Sequence, residues 1–230
     1  MRKLAPTLLL MATLAGTCVF AGETIERVVA IINGHTILLS EWDSAVRIES
    51  LIEGRPPGPV TGAQRWAALQ RLIDQELLRE ELESAGLAAA TKEAVQHRLE
   101  EIRAQYKTGN KNDNEDQWQA VLDQHGVQSA ELEQAVALQL SELELIDYRL
   151  RPSVAISDGA IRGYYRDTYE PQMEKAGAKV LPLTEVSAKI REILTQQKMN
   201  EGLANWLLSL RAQSDIRLNV SESSEVGQSQ

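Results

Sequence analysis

Cysteine and phenylalanine are nearly absent from this sequence. Each occurs once among the 230 residues, as Cys18 and Phe20, and both fall within the first 21. A chain relieved of that segment has neither a disulfide nor a thiolate metal site. Its core must be assembled from Leu, Ile, Val and Ala with a few Trp and Tyr, a composition that suits helices. Positive charge is the next shortage. Lys and Arg number 24 against 33 Asp and Glu, for a formal charge of −9. That acidic balance argues against nucleic acid and against an anionic membrane surface as partners. Beyond Phe20 no apolar stretch approaches the ~20 residues of a bilayer span. No stable membrane insertion is therefore expected after the first segment is removed, and the length suits one or two domains.

Catalytic signatures are missing as well. The sequence holds no H-E-x-x-H, no G-x-S-x-G, no phosphate-cradling glycine loop and no cysteine nucleophile outside the first 21 residues. His35, His97 and His125 are scattered, without Asp or Glu at ligand spacing, and each reads as a surface residue. Paired acids such as Glu80-Glu81-Glu83 and Glu100-Glu101 read as solvated helix faces. Acid–base work would need neighbouring carboxylates in environments that push their pKa values apart. No catalytic residue, no metal site and no cofactor is assigned, and the chain is not expected to be an enzyme.

The first residues carry an address. Arg2 and Lys3 precede an apolar run from Leu4 to Phe20, and Val19-Phe20-Ala21 places small residues where a signal peptidase reads. Cleavage is expected between Ala21 and Gly22, which makes residues 1–21 a signal peptide and the localisation periplasmic. An uncleaved anchor is the competing reading. A lipoprotein signal would place a small residue directly before the cysteine, and Thr17 stands between Gly16 and Cys18. Losing Arg2 and Lys3 with this segment takes the formal charge from −9 to −11.

The remainder reads as helices around a small sheet. Arg27 to Ile32 and Thr36 to Leu39 are strands joined by Asn33-Gly34, the preferred pair for a two-residue hairpin turn. Ser40 with Asp43, and Thr61 with Gln64, read as capping boxes. Helical stripes follow: Trp66, Leu69, Ile73 and Leu77, then Val95, Leu99, Ile102 and Tyr106 after Thr91. Asn114 is a candidate cap for a short helix through Trp118 and Leu122. Ser129 opens the longest of the early helices, with Leu132, Val136, Leu140, Leu143, Ile146 and Leu150 expected on its buried side. Ser157-Asp158 caps a short helix holding Tyr164 and Tyr165. Residues 170–182 show no strong period. Thr184 begins a long last helix marked by Val186, Ile190, Leu194, Leu203, Trp206, Leu207 and Leu210. Ile216 to Val220 alternates as a closing strand. Residues 221–230 have little to bury and read as a disordered tail.

In order, these pieces resemble a known family. Val28-Val29-Ala30-Ile31-Ile32-Asn33-Gly34, followed by Ile37-Leu38-Leu39-Ser40-Glu41, looks like the opening of the periplasmic chaperones SurA and PpiD and of the Gram-positive foldase PrsA. The helix Leu69 to Leu78 is similar to the family's next landmark. Ile156-Ser157-Asp158 through Tyr164-Tyr165 resembles the helix that precedes their parvulin isomerase domain, although Gly159 and Ala160 replace the usual acids. Ile190 to Leu194 and Trp206 to Arg211 resemble the returning C-terminal helix. One departure is large: only residues 170–182 lie where the parvulin domain sits, and a globular domain needs at least about 50.

The resemblance implies a mostly α fold: a helical chaperone module with a small N-terminal β-hairpin joined by a C-terminal strand. Residues 22–169 would form the N-terminal helical domain, 170–182 a short connection, and 183–220 the helix and strand completing the same module. It further implies an ATP-independent chaperone holding unfolded or outer-membrane-bound polypeptides in a groove between helices, with micromolar affinity of about −8 kcal/mol. Its partners would be unfolded or partially folded exported polypeptides. Trp118 and Tyr148 are the candidate peptide-binding residues, with a core role as the competing reading of each. A dedicated envelope assembly or scaffold protein with one partner, or a prolyl isomerase with an unusual site, are the rival functions.

Overall fold

The computed structural model describes residues 26–107 and 115–221. The expected signal peptide 1–21 with its cleavage between Ala21 and Gly22, the candidate Asn114 cap and all but the first residue of the expected 221–230 tail lie outside the described residues. A three-stranded antiparallel sheet starts the fold. It is built from β1 (Val28–Ile32), β2 (His35–Leu38) and β3 (Ile216–Leu218), in the order β2-β1-β3. Asn33 and Gly34 turn the hairpin with φ of 49° and 95°, both in the region that the two-residue turn demands. The chain's far end supplies the third strand, with Ile32 opposite Ile216 and Ala30 opposite Leu218. A register shift between Val28 and Ala30 breaks the strand's alternation, so Val29 and Ala30 are both buried.

Helices follow in series: α1 (Leu39–Ile52), α2 (Gly62–Ala85), α3 (Lys92–Ala104), α4 (Glu115–His125) and α5 (Ser129–Leu150). The Thr61–Gln64 box caps α2, with Thr61 N–H donating to Gln64 at 2.8 Å and Gln64 N–H donating to Thr61 at 3.2 Å. Thr91 accepts from Ala94 and Ser157 from Ala160, as their positions suggest. The start of α1 differs from the expected capping box. The helix begins at Leu39, and Glu41 takes the Leu38 amide at 2.7 Å. Ser40 bonds Glu26 instead, and Asp43 takes the Arg65 guanidinium at 2.7 Å. With 24 residues against 22, α2 rather than α5 is the longest of these helices.

After a short turn at Arg151–Ser153 come α6 (Asp158–Tyr164), a wider turn at Tyr165–Tyr169, α7 (Glu170–Lys175) and the 31-residue α8 (Leu183–Gln213). The aperiodic segment from Glu170 therefore starts as a helix. Pro171 lies in its first turn, where a missing N–H costs nothing. Tyr165 and Tyr169 stack at 5.4 Å between centroids. The Tyr165 hydroxyl donates to the Leu181 carbonyl at 2.9 Å and Tyr169 accepts from the Leu181 amide at 3.4 Å, which ties the connection down.

Two apolar clusters form the core. Val29, Ala30, Ile32 and Ile37 of the sheet pack with Trp42, Val46, Ala68, Leu69, Ile73 and Leu77, and Leu210, Ile216 and Val220 close over them. The buried Trp42 ring donates to the Arg65 carbonyl at 2.8 Å. Leu51, Val95, Ile102, Leu122, Val127, Leu132 and Val136 make the second cluster. The helix α1 runs through both.

Tertiary contacts overturn three sequence expectations. Tyr106 lies past the end of α3, and its hydroxyl donates to the Leu51 carbonyl at 2.6 Å. His125 is buried, not on the surface, with Nδ1 2.9 Å from the Val121 carbonyl and Nε2 3.1 Å from the Arg55 carbonyl. The far half of α5 buries Ser141, Glu142 and Leu145, while Leu143 is 55% exposed. The reason is that α5 packs against α2, α3 and α8, so no single stripe can serve all three neighbours.

Candidate binding grooves

Two open clefts run between the helices. The first lies between α1, α2 and α5 and encloses about 510 Å³. Ala45, Ile48, Ile52, Leu72, Ala135 and Leu138 form its floor, and all six are only half-buried. On α1, Ala45, Ile48 and Ile52 share one helix face with Glu41 and Glu49, and with Glu53 at its C-terminal cap, because positions three and four apart are neighbours. Across the cleft, α2 contributes Arg71 and α5 contributes Glu131. Glu49 grips Arg71 with both carboxylate oxygens and pushes the guanidinium pKa up. Glu131 accepts from the Gln128 amide at 3.1 Å.

The second cleft lies between α5 and α8 and encloses about 630 Å³. Leu143, Ile146, Met199 and Leu203 supply its apolar surface. Its charges are matched: Asp147 holds Arg151, and Arg191 holds Asp158 of α6 at 3.0 Å. Both volumes fall in the range of about 300–1,000 Å³ typical of binding clefts.

The predicted peptide-binding pair is not brought together in either cleft. Trp118 packs into the second core cluster, 6.2 Å from the Tyr106 ring centroid. Tyr148 is 65% exposed on α5 and lines neither cleft. Sequence reading passed over Ile48, Leu72 and Leu138 because they fall beside the buried stripes. An apolar residue off the stripe was the available signal.

Two buried carboxylates also escaped the sequence reading. Glu76 is held by Arg79 through bonds of 2.6 and 2.8 Å, with His35 Nδ1 at 3.6 Å. Glu142 has one oxygen with no hydrogen-bond partner, and burial pushes its pKa up to about 7. His97 stands 3.4 Å from Glu101 on the exposed face of α3, so two of the three histidines do meet an acid. Among the described residues no group of His, Cys, Asp and Glu is arranged to hold a metal, and no helix is long and apolar enough to cross a membrane.

No curated protein sequence matches the chain. A family description, the SurA-like N-terminal domain, matches residues 4–146. It covers the hairpin, α1 to α4 and nearly all of α5, and leaves α6 to α8 and β3 outside. As the match spans more than half of the 230 residues, the chain belongs to the family of SurA-like N-terminal domains.

Proposed function

We propose that the protein is an ATP-independent periplasmic chaperone that holds unfolded or outer-membrane-bound polypeptides and has no isomerase activity. The observation that carries this reading is the floor of the first cleft. Six apolar residues on three helices stay half-buried because none of the described residues closes over them. An unfolded polypeptide can bury its own apolar side chains there without its sequence being read in detail. Each fully buried Leu or Ile is worth about 1.5–3 kcal/mol, so a few of them reach weak, reversible affinity after the cost of ordering is met. Family membership supports the same reading. Export rests on Arg2, Lys3, the apolar run and the Val19-Phe20-Ala21 end. The absence of isomerase activity rests on the thirteen residues, 170–182, between the Tyr-Tyr helix and α8, too few for the parvulin domain.

The protein purified from the envelope, with its N-terminus at Gly22, is expected to slow aggregation of several unrelated unfolded outer-membrane-type proteins. It should leave the rate of a protease-coupled proline-peptide assay unchanged. Protection of a single client, bound tightly, would replace this reading with a dedicated scaffold. An isomerisation rate proportional to protein concentration would make it an enzyme.

A further inference from the structure

We infer that the cleft between α1, α2 and α5 selects extended polypeptide segments in which apolar side chains alternate with Lys or Arg. This rests on the proposed chaperone reading and names the segment class that this one cleft takes. Of the five charged residues lining it, four are carboxylates: Glu41, Glu49, Glu53 and Glu131. The single cation, Arg71, is already held by Glu49. Glu53 is paired outside the lining with Arg55 at 2.7 Å. Among the described residues, Glu41 and Glu131 accept the Leu38 and Gln128 amides at the starts of their own helices and face no cation. The α5–α8 cleft is an internal contrast, since its Asp147, Arg151, Arg191 and Glu192 balance.

Spacing sets the occupant's conformation. Glu41 in the first turn of α1 and Glu53, which caps its C-terminus, stand twelve residues apart, a rise of about 18 Å at 1.5 Å per residue. Ala45, Ile48 and Ile52 lie along the same stretch. An extended chain covers that length in five or six residues at about 3.3 Å each, and its side chains alternate between two faces. Apolar residues pointing at the floor then leave the intervening ones at the rim, where the carboxylates favour a cation and repel an anion. Contacts of this exposed kind are individually small and weaken with salt.

The test uses three labelled dodecapeptides with leucine at alternate positions and lysine, glutamine or glutamate between, titrated by fluorescence anisotropy at low and high salt. The lysine peptide should bind about tenfold tighter than the glutamine peptide at low salt, and the glutamate peptide most weakly. The double variant Glu41→Gln with Glu131→Gln keeps an oxygen for each helix-start amide. It should lower the lysine peptide's advantage about fivefold and leave the glutamine peptide unchanged. Glu93→Gln with Glu100→Gln, exposed on α3, should change neither. Equal affinity for the lysine and glutamine peptides would overturn the inference, as would an equal loss in the α3 variant, which would assign the effect to net charge. Binding of no peptide by a protein that still protects clients from aggregation overturns this inference alone. Loss of that protection in the wild-type protein overturns the chaperone reading itself.

Discussion

Glu142 and Glu76 are the same residue type in the same degree of burial, and they differ in what faces them. Glu76 has the Arg79 guanidinium, whose own pKa is raised by that bond. Glu142 has no hydrogen bond to one of its oxygens, and desolvation lifts its pKa from 4.5 to about 7. Burial disfavours the charged form. The folded state therefore binds the proton more tightly than the unfolded chain does. The resulting stability is fully present below about pH 4.5 and is lost as the pH rises to about 7. The difference is on the order of 3 kcal/mol. Glu142→Gln should remove this pH dependence and raise stability at pH 8 by about 1–2 kcal/mol, since a buried amide without partners retains some cost. Urea unfolding of both proteins at pH 4.5 and pH 8 measures it. An identical change with pH in the two proteins would exclude Glu142 as its source.

At the scale of elements, β3 joins the two ends of the chain. It supplies the second edge of β1, and Asn219 N–H donates to the Val29 carbonyl at 2.9 Å just beyond it. Ile216 and Val220 cover the first core cluster. A hairpin alone is marginal in water. Deleting residues 212–230 should lower stability by about 2–4 kcal/mol through the loss of these two side chains and one ladder. An unchanged thermal midpoint in the truncated protein would show the strand to be dispensable. The helix α8 differs in kind from α2. Its 31 residues bury only Ile190 and Met199 fully, so it is held by separate contacts along its length more than by one apolar face.

At the scale of the whole molecule, α8 is the strut that ties the α6–α7 arm to the sheet. Arg191 meets Asp158 of α6 at one end. Near the other, Arg211 donates to Asp74 at 2.6 Å and to the Gln70 side chain and backbone carbonyl at 2.9 Å each. Three bonds from one half-buried guanidinium fix the helix against α2 just before β3 begins. Arg211→Ala should cost about 2 kcal/mol, since hydrogen bonds to charged groups contribute about 1.5–3 kcal/mol. Arg211→Lys should recover less than half, because an ammonium cannot reproduce the planar fork. Chemical unfolding of both variants, with hydrogen exchange at Ile216–Leu218, checks it. Full recovery by lysine would reduce the contact to a point charge.

The sequence by itself determined the features that a few neighbouring residues encode. Asn33-Gly34 set the hairpin turn, Thr61, Thr91 and Ser157 set helix starts, and the 3.6-residue stripes of α2 and α3 set their buried faces. The ordered family motifs and the alternating strand at Ile216 placed the fold in its class. What depends on how many elements cover a given side chain was left to tertiary structure. Only packing against α2, α3 and α8 together buries Ser141 and Glu142 and exposes Leu143 on α5. Only the approach of the Arg55 carbonyl and the Tyr106 ring encloses His125. Groove residues such as Ile48, Leu72 and Leu138 show in the sequence only as apolar residues off the stripe, and their role as a surface was left to packing for the same reason. Their chemistry is that of core residues, and what makes them a surface is that three helices meet around them and no other described element closes the gap.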